Sequence, residues 1–381
     1  MTSPGAEPPS RPLRVAIDGT PLVGERTGIG HVTANLLAAL GPRPDLEVVA
    51  YAISRTARHD LAPVLPAGVR AGTSPLPARF VLPLWERWSF PSIEHWTGAV
   101  DVVHATNYSA PPARAPVVVT VHDLTFVHRP DLVSDDTRRF FDGLVRAALA
   151  HGATVHVVSD FVGDEVRDVF GLPAERVIRA YPGLAETAGG DAAHGRSVAG
   201  ADAYVLALGQ LEPRKNLPAL VRAFDAVAAT RPDLHLVIAG PDGWARDDFE
   251  AAVHTARHGG RVRWLGYVSD GDRRDLLAGA RVFAYPSLYE GFGHPPLEAM
   301  AAHVPVVAAA SGAIPEIVGD AAVLVEPTDT DALADALTRV LDDDVLHARL
   351  VDAGKVRVAR FDWNVAAQEF SDLYHRIARE R

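Results

Sequence analysis

The sequence contains no cysteine and only two methionines in 381 residues. The missing thiols exclude disulfide bonds, thiolate metal sites and a cysteine nucleophile. Lysine and arginine together number 37 against 48 aspartates and glutamates, so the net charge is −11. Because nucleic-acid binding depends on clustered cationic side chains, this charge balance argues against a nucleic-acid partner.

Long apolar runs are also missing, and no stretch approaches the roughly 20 residues that cross a bilayer. Residues 1–12 are rich in Pro and Ser and contain no apolar segment, which is typical of a disordered leader rather than a signal peptide. The 16 histidines show no His-Glu-x-x-His or similar ligand spacing. Because the sequence shows neither a bilayer-crossing run nor a signal peptide, we expect a cytoplasmic protein with at most peripheral contact with the inner face of a membrane.

Short apolar runs alternate with helical patterns along the whole chain, which is typical of parallel sheets covered by helices on both faces. The length of 381 residues suits two domains. In the first half, strands are predicted at 13–17, 47–51, 102–104, 117–121, 154–158 and 177–180. In the second half, they are predicted at 204–208, 234–239, 262–265, 282–285, 306–309 and 322–325.

A stretch of small residues without periodicity, 185–200, separates the two sets of strands and predicts a linker or an exposed loop at the domain junction. We therefore predict two doubly wound Rossmann-like α/β domains, over 13–184 and 201–363. A cleft between such domains, at the carboxyl ends of their strands, is where ligands bind. The pattern over 364–381 predicts a terminal helix. Its apolar residues are Val365, Phe370, Leu373, Tyr374 and Ile377.

The most informative motif is Glu290-Gly-Phe-Gly-His-Pro-Pro-Leu-Glu298, which follows the predicted strand 282–285. Its glycines permit a tight turn, and its two prolines suit the first turn of a helix. A helix N-terminus offers N–H groups to an anion, and the two carboxylates can accept hydrogen bonds from sugar hydroxyls. Taken alone, the pair is equally well explained as a solvated strand end and a helical first-turn glutamate.

Arg214 and Lys215 follow the predicted strand 204–208 and precede a helix start marked by Asn216. Adjacent cations match a diphosphate, because arginine engages two phosphate oxygens through its fork while lysine acts as a movable point charge. Standing alone, such a pair is more often only solvated.

The string from Tyr285 to Met300 resembles the donor-site signature of the retaining glycosyltransferases of family 4, which have the GT-B fold. The loop from Leu208 to Leu217 is similar to the diphosphate-binding loop of that family. The resemblance implies two Rossmann-like domains with an interdomain cleft. It also implies an acceptor side in the first domain, a nucleotide-sugar donor side in the second, and a terminal helix that crosses back to the first.

By this resemblance, His122 lies against the donor sugar near the reacting carbon, Glu290 contacts the sugar hydroxyls and Glu298 holds the ribose. A carboxylate against the diphosphate would be repelled, which agrees with the ribose position of Glu298. We expect His122, Arg214, Lys215 and Glu290 to be catalytic, with the two cations offsetting the charge of the leaving diphosphate. From the residues alone, His122 is equally well explained as a histidine hydrogen-bonded to a loop carbonyl.

Further donor contacts are expected from both domains. The resemblance implies that Gly28 and Gly30 close over the donor phosphates and sugar, although a plain turn is the commoner explanation of such a pair. It also implies that a loop with Tyr267 and Val268 abuts the base. Because proline has no N–H, the backbone donors of the glycine-rich motif are expected at the other positions. These are Phe292, Gly293 and Leu297.

The chain departs from the usual family pattern at two positions. His294 stands where an aliphatic residue is more frequent, and His303 stands where glycine is usual. We expect the first departure to alter contact with the sugar or acceptor, and the second to change only a helix end. Asp-x-Asp patterns at 270–272 and 329–331, with the run 342–344, are expected to cap helices rather than bind a catalytic metal.

The expected activity is transfer of a hexose from a nucleotide diphosphate sugar to an acceptor hydroxyl, with retention and without a metal or other cofactor. No side chain is an evident covalent nucleophile, which favours front-side attack. GDP-mannose is the first expectation for the donor, with UDP and dTDP sugars as open alternatives. The acceptor is a glycan, a lipid-linked sugar or a small molecule. An acceptor or membrane contact by the aromatic segment 80–96 is open, with core packing favoured.

Two other functions remain open: a sugar-nucleotide-binding protein without catalysis, and a sugar-nucleotide epimerase of the GT-B fold. A pyridoxal-dependent phosphorylase is disfavoured by length and by the absence of an identifiable Schiff-base lysine. The sequence has only two lysines, Lys215 and Lys355.

Overall fold

The computed structural model describes residues 11–24, 28–53, 60–72, 85, 90–185 and 189–380. Two parallel sheets, one in each half of the chain, form its framework. The strands of the first sheet, β1 to β7, are Leu13–Asp18, Leu46–Tyr51, Val69–Gly72, Val102–Ala105, Val117–Val121, Thr154–Val157 and Val177–Arg179. Those of the second, β8 to β13, are Ala203–Leu208, Leu234–Ala239, Val262–Trp264, Val282–Tyr285, Val306–Ala309 and Ala322–Val325.

The α-helices of the described residues cover both faces of the sheets. The first seven, α1 to α7, are Gly28–Leu40, Glu94–Thr97, Thr125–His128, Asp135–Ala150, Asp160–Phe170, Ala192–Ala199 and Leu217–Ala228. The next seven, α8 to α14, are Arg246–Thr255, Asp270–Gly279, His294–Ala301, Ile314–Val318, Thr330–Asp342, Asp344–Val358 and Trp363–Arg379. The prediction of two doubly wound α/β domains is confirmed.

Strand order explains where a ligand site can form. The first sheet runs β3-β2-β1-β4-β5-β6-β7 and the second β10-β9-β8-β11-β12-β13. In each sheet the order reverses beside the first strand, between β1 and β4 and between β8 and β11. Loops that leave neighbouring strands in opposite directions open a crevice at this point, at the carboxyl ends of the strands.

All twelve predicted strands are present, because each is a run of β-branched and other apolar residues. Strand β3 was not predicted. Its sequence, Val-Arg-Ala-Gly, is short and partly polar, so it shows no continuous apolar run. The strand lies at the edge of the first sheet and, among the described strands, pairs only with β2.

The prediction of a linker or exposed loop over 185–200 is wrong for its second half, which forms helix α6. Asp191 caps this helix by accepting from the N–H of Ala193 at 2.8 Å, and Gly200 ends it in a left-handed conformation. A Cβ on Gly195 would lie 1.8 Å from the carbonyl oxygen of Asp275 in α9. The small residues therefore serve close packing of two helices rather than flexibility.

The C-terminal helix α14 returns to the first domain and packs against α1, β1 and β4. Phe370, Leu373, Tyr374 and Ile377 are buried there, whereas Val365 is 52% exposed. The Tyr374 hydroxyl also lies 2.7 Å from Nδ1 of the buried His104, which satisfies a polar group inside this core.

The leader 1–12 falls almost wholly outside the described residues. Across the described part of the chain, no helix combines the length and apolar character that a bilayer crossing requires.

Candidate active site

The loops after β8 and β11 meet because the two strands are neighbours in the second sheet. The N–H of Leu288 donates to the carbonyl of Arg214 at 2.8 Å, and Arg214 Nη1 donates to the carbonyl of Tyr289 at 3.1 Å. A Cβ on Gly209 would lie 3.2 Å from the Lys215 side chain, so glycine leaves room for that lysine to fold over the end of β8. The two motifs singled out in the sequence therefore form one site.

Glu290 is the centre of an ion cluster and is only 7% exposed. Arg214 Nη1 lies 2.6 Å from its Oε2, and Lys215 Nζ lies 2.7 Å from its Oε1. Tyr285, at the end of β11, donates its hydroxyl to the same Oε1 at 2.8 Å and accepts from Lys215 at 3.0 Å. The sequence alone did not identify Tyr285, since it was explained fully as a strand residue.

The charges of this cluster depend on one another. Burial opposes ionisation of Glu290, but Arg214, Lys215 and the hydrogen bonds outweigh burial and lower its pKa to about 2. Burial lowers the pKa of Lys215, and Glu290 counteracts this. Glu212 lies 3.4 Å from Arg214 as a second counter-charge. A diphosphate that binds here therefore competes with Glu290 for the two cations.

Glu298, expected at the ribose, lies in the first turns of α10 and contacts the guanidinium of Arg273 in α9. Burial raises the pKa of Glu298, Arg273 opposes that rise, and the nearby Asp270 adds to it. Arg273 was not identified from the sequence, because only the fold brings α9 beside α10. Arg273 therefore favours the ionised form of this buried carboxylate, which is the form that accepts from hydroxyl donors.

The start of α10 is built as the sequence predicts. Gly293 is the N-cap residue with φ 110°, and a Cβ there would lie 2.5 Å from Ile314 Cδ1, so only glycine fits. Phe292 and Leu297 are buried on either side of this start. The ring of His294 packs 4.7 Å from that of Phe292.

His122 directly follows β5, which ends at Val121. Its Nε2 lies 2.8 Å from the carbonyl oxygen of Thr106, and burial lowers its pKa. The ring is thus neutral at neutral pH, with Nε2–H donating to the carbonyl and Nδ1 unprotonated. A Cβ on Gly291 would lie 1.9 Å from the carbonyl oxygen of His122, so the donor loop and the end of β5 touch directly. The structure therefore unites His122 with the Glu290 loop.

Gly28 and Gly30, expected in a loop, instead form the first turn of α1. The preceding residues 25–27 lie outside the described part of the chain. A Cβ on Gly28 would meet no atom within 4 Å, so no steric contact with the described residues requires glycine there. Tyr267 follows β10 and is 76% exposed, while Val268 is partly buried. These four residues have no contact with the ion cluster among the contacts of the described residues.

Tyr289, beside Glu290, links the donor loop to α5. Its hydroxyl contacts the Glu165 carboxylate and accepts from the N–H of Leu124 at 3.3 Å. Burial raises the pKa of Glu165 to about 7, with Asp123 adding to the rise and the Tyr289 hydrogen bond opposing it.

This raised pKa predicts a pH effect on stability. The folded state holds the Glu165 proton more tightly than the unfolded state, so the free energy of unfolding falls as pH rises from 4.5 to about 7. After discounting for partial exposure, E165Q is expected to remove about 2 kcal/mol of this decline. Melting temperatures at pH 5 and pH 8 measure it, and identical pH dependence in wild type and E165Q would refute the assignment.

The Asp-x-Asp patterns lie at helix starts. Asp329 caps α12 and Asp343 caps α13, each by accepting from backbone N–H groups. Ser269 caps α9 by accepting from the N–H of Asp272. Among the described residues, His194, Asp272 and Asp275 come close enough to share an ion, at the surface between α6 and α9.

The aromatic segment 80–96 is described only at residue 85 and from residue 90 onwards. Trp85 stacks on Trp96 with 5.5 Å between ring centroids and donates Nε1–H to the carbonyl of Pro91 at 2.7 Å. Both tryptophans pack against a buried cluster that includes Ile93.

Comparison with known proteins extends over both domains. Residues 26–186 match the family described as Glycosyltransferase Family 4, and residues 195–357 match Glycosyl transferases group 1. The second match contains Arg214, Lys215, Glu290 and Glu298, and the first contains His122.

Several similar proteins are named mannosyltransferases. O-antigen chain mannosyltransferase B of Escherichia coli is 31% identical over 285 residues, covering 72% of this chain and 74% of that protein. Phosphatidyl-myo-inositol mannosyltransferase of Mycobacterium tuberculosis is 30% identical over 303 residues, covering 74% and 75%. A GDP-mannose-dependent monoacylated alpha-(1-6)-phosphatidylinositol monomannoside mannosyltransferase of Corynebacterium glutamicum is 33% identical over 173 residues, covering 43% and 45%.

The fold has close counterparts among solved structures. Sucrose-phosphate synthase of Thermosynechococcus elongatus superposes with a TM-score of 0.75 at 22% identity, covering 97% of this chain and 100% of that one. At this identity the likeness concerns the fold, which is GT-B. Because the Escherichia coli mannosyltransferase matches more than two thirds of the chain, the protein belongs to the GT-B glycosyltransferases and is an enzyme of the sugar-transferring class.

Proposed function

We propose that the protein is a retaining mannosyltransferase that takes its sugar from GDP-mannose. The observation that carries this proposal is the ion cluster of Arg214, Lys215 and Glu290 at the ends of two neighbouring strands. The mannosyltransferase names of the similar proteins support the sugar, and the GDP-mannose-dependent relative supports the nucleotide.

In this proposal, the diphosphate binds to Arg214 and Lys215 and displaces Glu290 from them. Glu290, released from the cations, accepts hydrogen bonds from the sugar hydroxyls, while Glu298 accepts from the ribose hydroxyls. Tyr285 stays within reach of Lys215 and keeps its ammonium directed at the phosphates. The exposed ring of Tyr267 and the neighbouring Val268 receive the base.

Transfer itself needs charge stabilisation more than a nucleophilic side chain. As the sugar–phosphate bond breaks, negative charge develops on the leaving diphosphate, and the two cations stabilise it. A departing phosphate oxygen takes the proton of the acceptor hydroxyl as that hydroxyl attacks from the same face. The neutral His122 lies across the cleft from this centre and orients the sugar.

A donor screen tests the function. We expect release of GDP from GDP-mannose that mannoside or lipid-linked acceptors accelerate, with an α-linked product by NMR and an undiminished rate after chelation of metals. Release or isomerisation that acceptors do not affect would favour an epimerase instead. Tight binding of the nucleotide sugar without any release would favour a non-catalytic binding protein. Faster turnover of a UDP or dTDP sugar would overturn the choice of nucleotide alone.

Arg273 provides a second test, directed at the ribose contact. In R273M, Glu298 loses the cation that opposes the rise of its pKa, so a larger fraction of the carboxyl is protonated and GDP affinity is expected to fall about tenfold at pH 7. The loss should shrink as pH rises, because the carboxylate then ionises without help. Titration calorimetry from pH 6 to 9 measures both effects. The matched control is R274M, since Arg274 is the exposed neighbour on the same helix; equal losses in both variants would refute the role.

A further inference from the structure

Helix α5 of the first domain begins at the interface with the second domain. The N–H groups of Asp160 and Phe161 donate to the two carboxylate oxygens of Glu316, at 2.8 and 2.9 Å. Glu316 lies in α11 of the second domain. The next N–H, of Val162, donates to the N-cap Ser159 at 3.2 Å. The first N–H groups of a helix have no acceptor inside the helix. In α5, the other domain supplies the acceptors for two of these N–H groups.

Glu316 is held in place from both sides. The Tyr181 hydroxyl of the first domain donates to its Oε1 at 2.8 Å. On its own domain, Arg357 donates to the backbone carbonyls of Glu316 and Ile317, the latter at 2.6 Å. The carboxylate therefore meets the positive end of the α5 dipole in a fixed orientation, where an anion is stabilised.

The same helix also touches the donor loop. Ser159 Oγ donates to the carbonyl of Gly291 at 2.7 Å, and Glu165, one and a half turns along α5, contacts Tyr289. Tyr289 and Gly291 are the residues on either side of Glu290 in the sequence. Strand β6, which leads into α5, is the neighbour of β5, and His122 is the first residue after β5. A shift of α5 against the second domain would therefore change the distance between His122 and the Glu290 loop.

We propose that Glu316 is a positioning residue for transfer: by capping α5 across the cleft, it fixes the domain arrangement in which His122 meets the donor loop. Glu316 touches none of the residues assigned to the donor. The inference rests on the proposed function for its kinetic readout only. Its structural readout, the arrangement of the two domains, is independent of which sugar is transferred.

The test compares E316A and E316Q with D335A, in which an exposed acidic residue of α12 is removed from the same domain. For E316A, we expect kcat for transfer to fall about 10- to 100-fold. The GDP dissociation constant should stay within about twofold, because the nucleotide contacts proposed above, at Arg214, Lys215 and Glu298, lie in the second domain. E316Q retains an acceptor oxygen and should recover part of the rate. Small-angle scattering should show a larger radius of gyration for E316A.

Several results would overturn the proposal. Unchanged kcat and an unchanged radius of gyration in E316A would show that the contact does not set the arrangement. Equal loss of transfer and GDP binding, with a lower melting temperature, would show a role in folding rather than positioning. If the wild type transfers no sugar at all, the proposed function fails, while the scattering comparison still decides whether Glu316 holds the domains together.

Discussion

Replacing Lys215 with alanine is expected to lower kcat/KM for sugar transfer by about a thousandfold while the fold stays intact. Lys215 is one of two cations at the diphosphate site. Without its ammonium, only Arg214 of the two remains to stabilise the negative charge that develops on the leaving group. Glu290 keeps its contact with Arg214 in the variant, so the buried carboxylate is not left unpaired. Steady-state kinetics with the preferred donor measures the effect, and circular dichroism checks the fold.

Lys355, the only other lysine of the chain, provides the control. Its side chain is 48% exposed and pairs with Asp352 on the surface of α13. K355A should leave kcat/KM unchanged, since a surface pair of this kind is worth at most about 1 kcal/mol. A K215A enzyme that works at more than about a tenth of the wild-type rate would remove Lys215 from the catalytic residues.

Replacing Glu290 with glutamine is expected to abolish transfer and also to destabilise the protein. The change leaves Arg214 and Lys215 buried without their main counter-charge, and breaking a buried pair costs about 3–5 kcal/mol. Thermal unfolding measures this loss. The same contribution is present in wild type above the ordinary glutamate pKa of 4.5 and is lost as pH falls towards the folded-state pKa of about 2.

GDP should partly rescue E290Q, because the diphosphate supplies the missing negative charge. The rise in melting temperature on adding saturating GDP is therefore expected to be larger in E290Q than in wild type. E250Q, which removes an exposed surface partner of Arg246, serves as the control and should melt like wild type. A stable E290Q protein with unaltered response to GDP would show that Glu290 is not the counter-charge of the two cations.

The fold was largely predictable because buried parallel strands are continuous apolar runs. The meeting of Arg214 with Glu290 was predictable for a related reason: each follows a strand, and the carboxyl ends of parallel strands share one edge of the sheet. Helix α6 was not predictable from periodicity, because it has no apolar face of regular spacing. Its small residues instead allow close contact with α9.

Two of the residues that the sequence did not identify share a physical cause. Arg273 meets Glu298, and Glu316 meets the start of α5, through contacts between elements that are distant in the chain. Neither residue belongs to a local pattern that distinguishes it from an ordinary surface charge. For His122, the sequence left two alternatives open, a hydrogen bond to a loop carbonyl and a place in the donor site. The structure shows the hydrogen bond, to the carbonyl of Thr106, and also places the backbone of His122 against the donor loop.

A crystal structure with GDP-mannose or GDP bound tests the central claim most directly. The claim is that one nucleotide sugar occupies the cleft at the ends of β8 and β11. The diphosphate should lie within hydrogen-bond distance of Arg214 and Lys215. The ribose hydroxyls should donate to Glu298, and the mannose should lie between Glu290 and His122. A nucleotide bound elsewhere, or one whose phosphates leave both cations paired with Glu290, would contradict it.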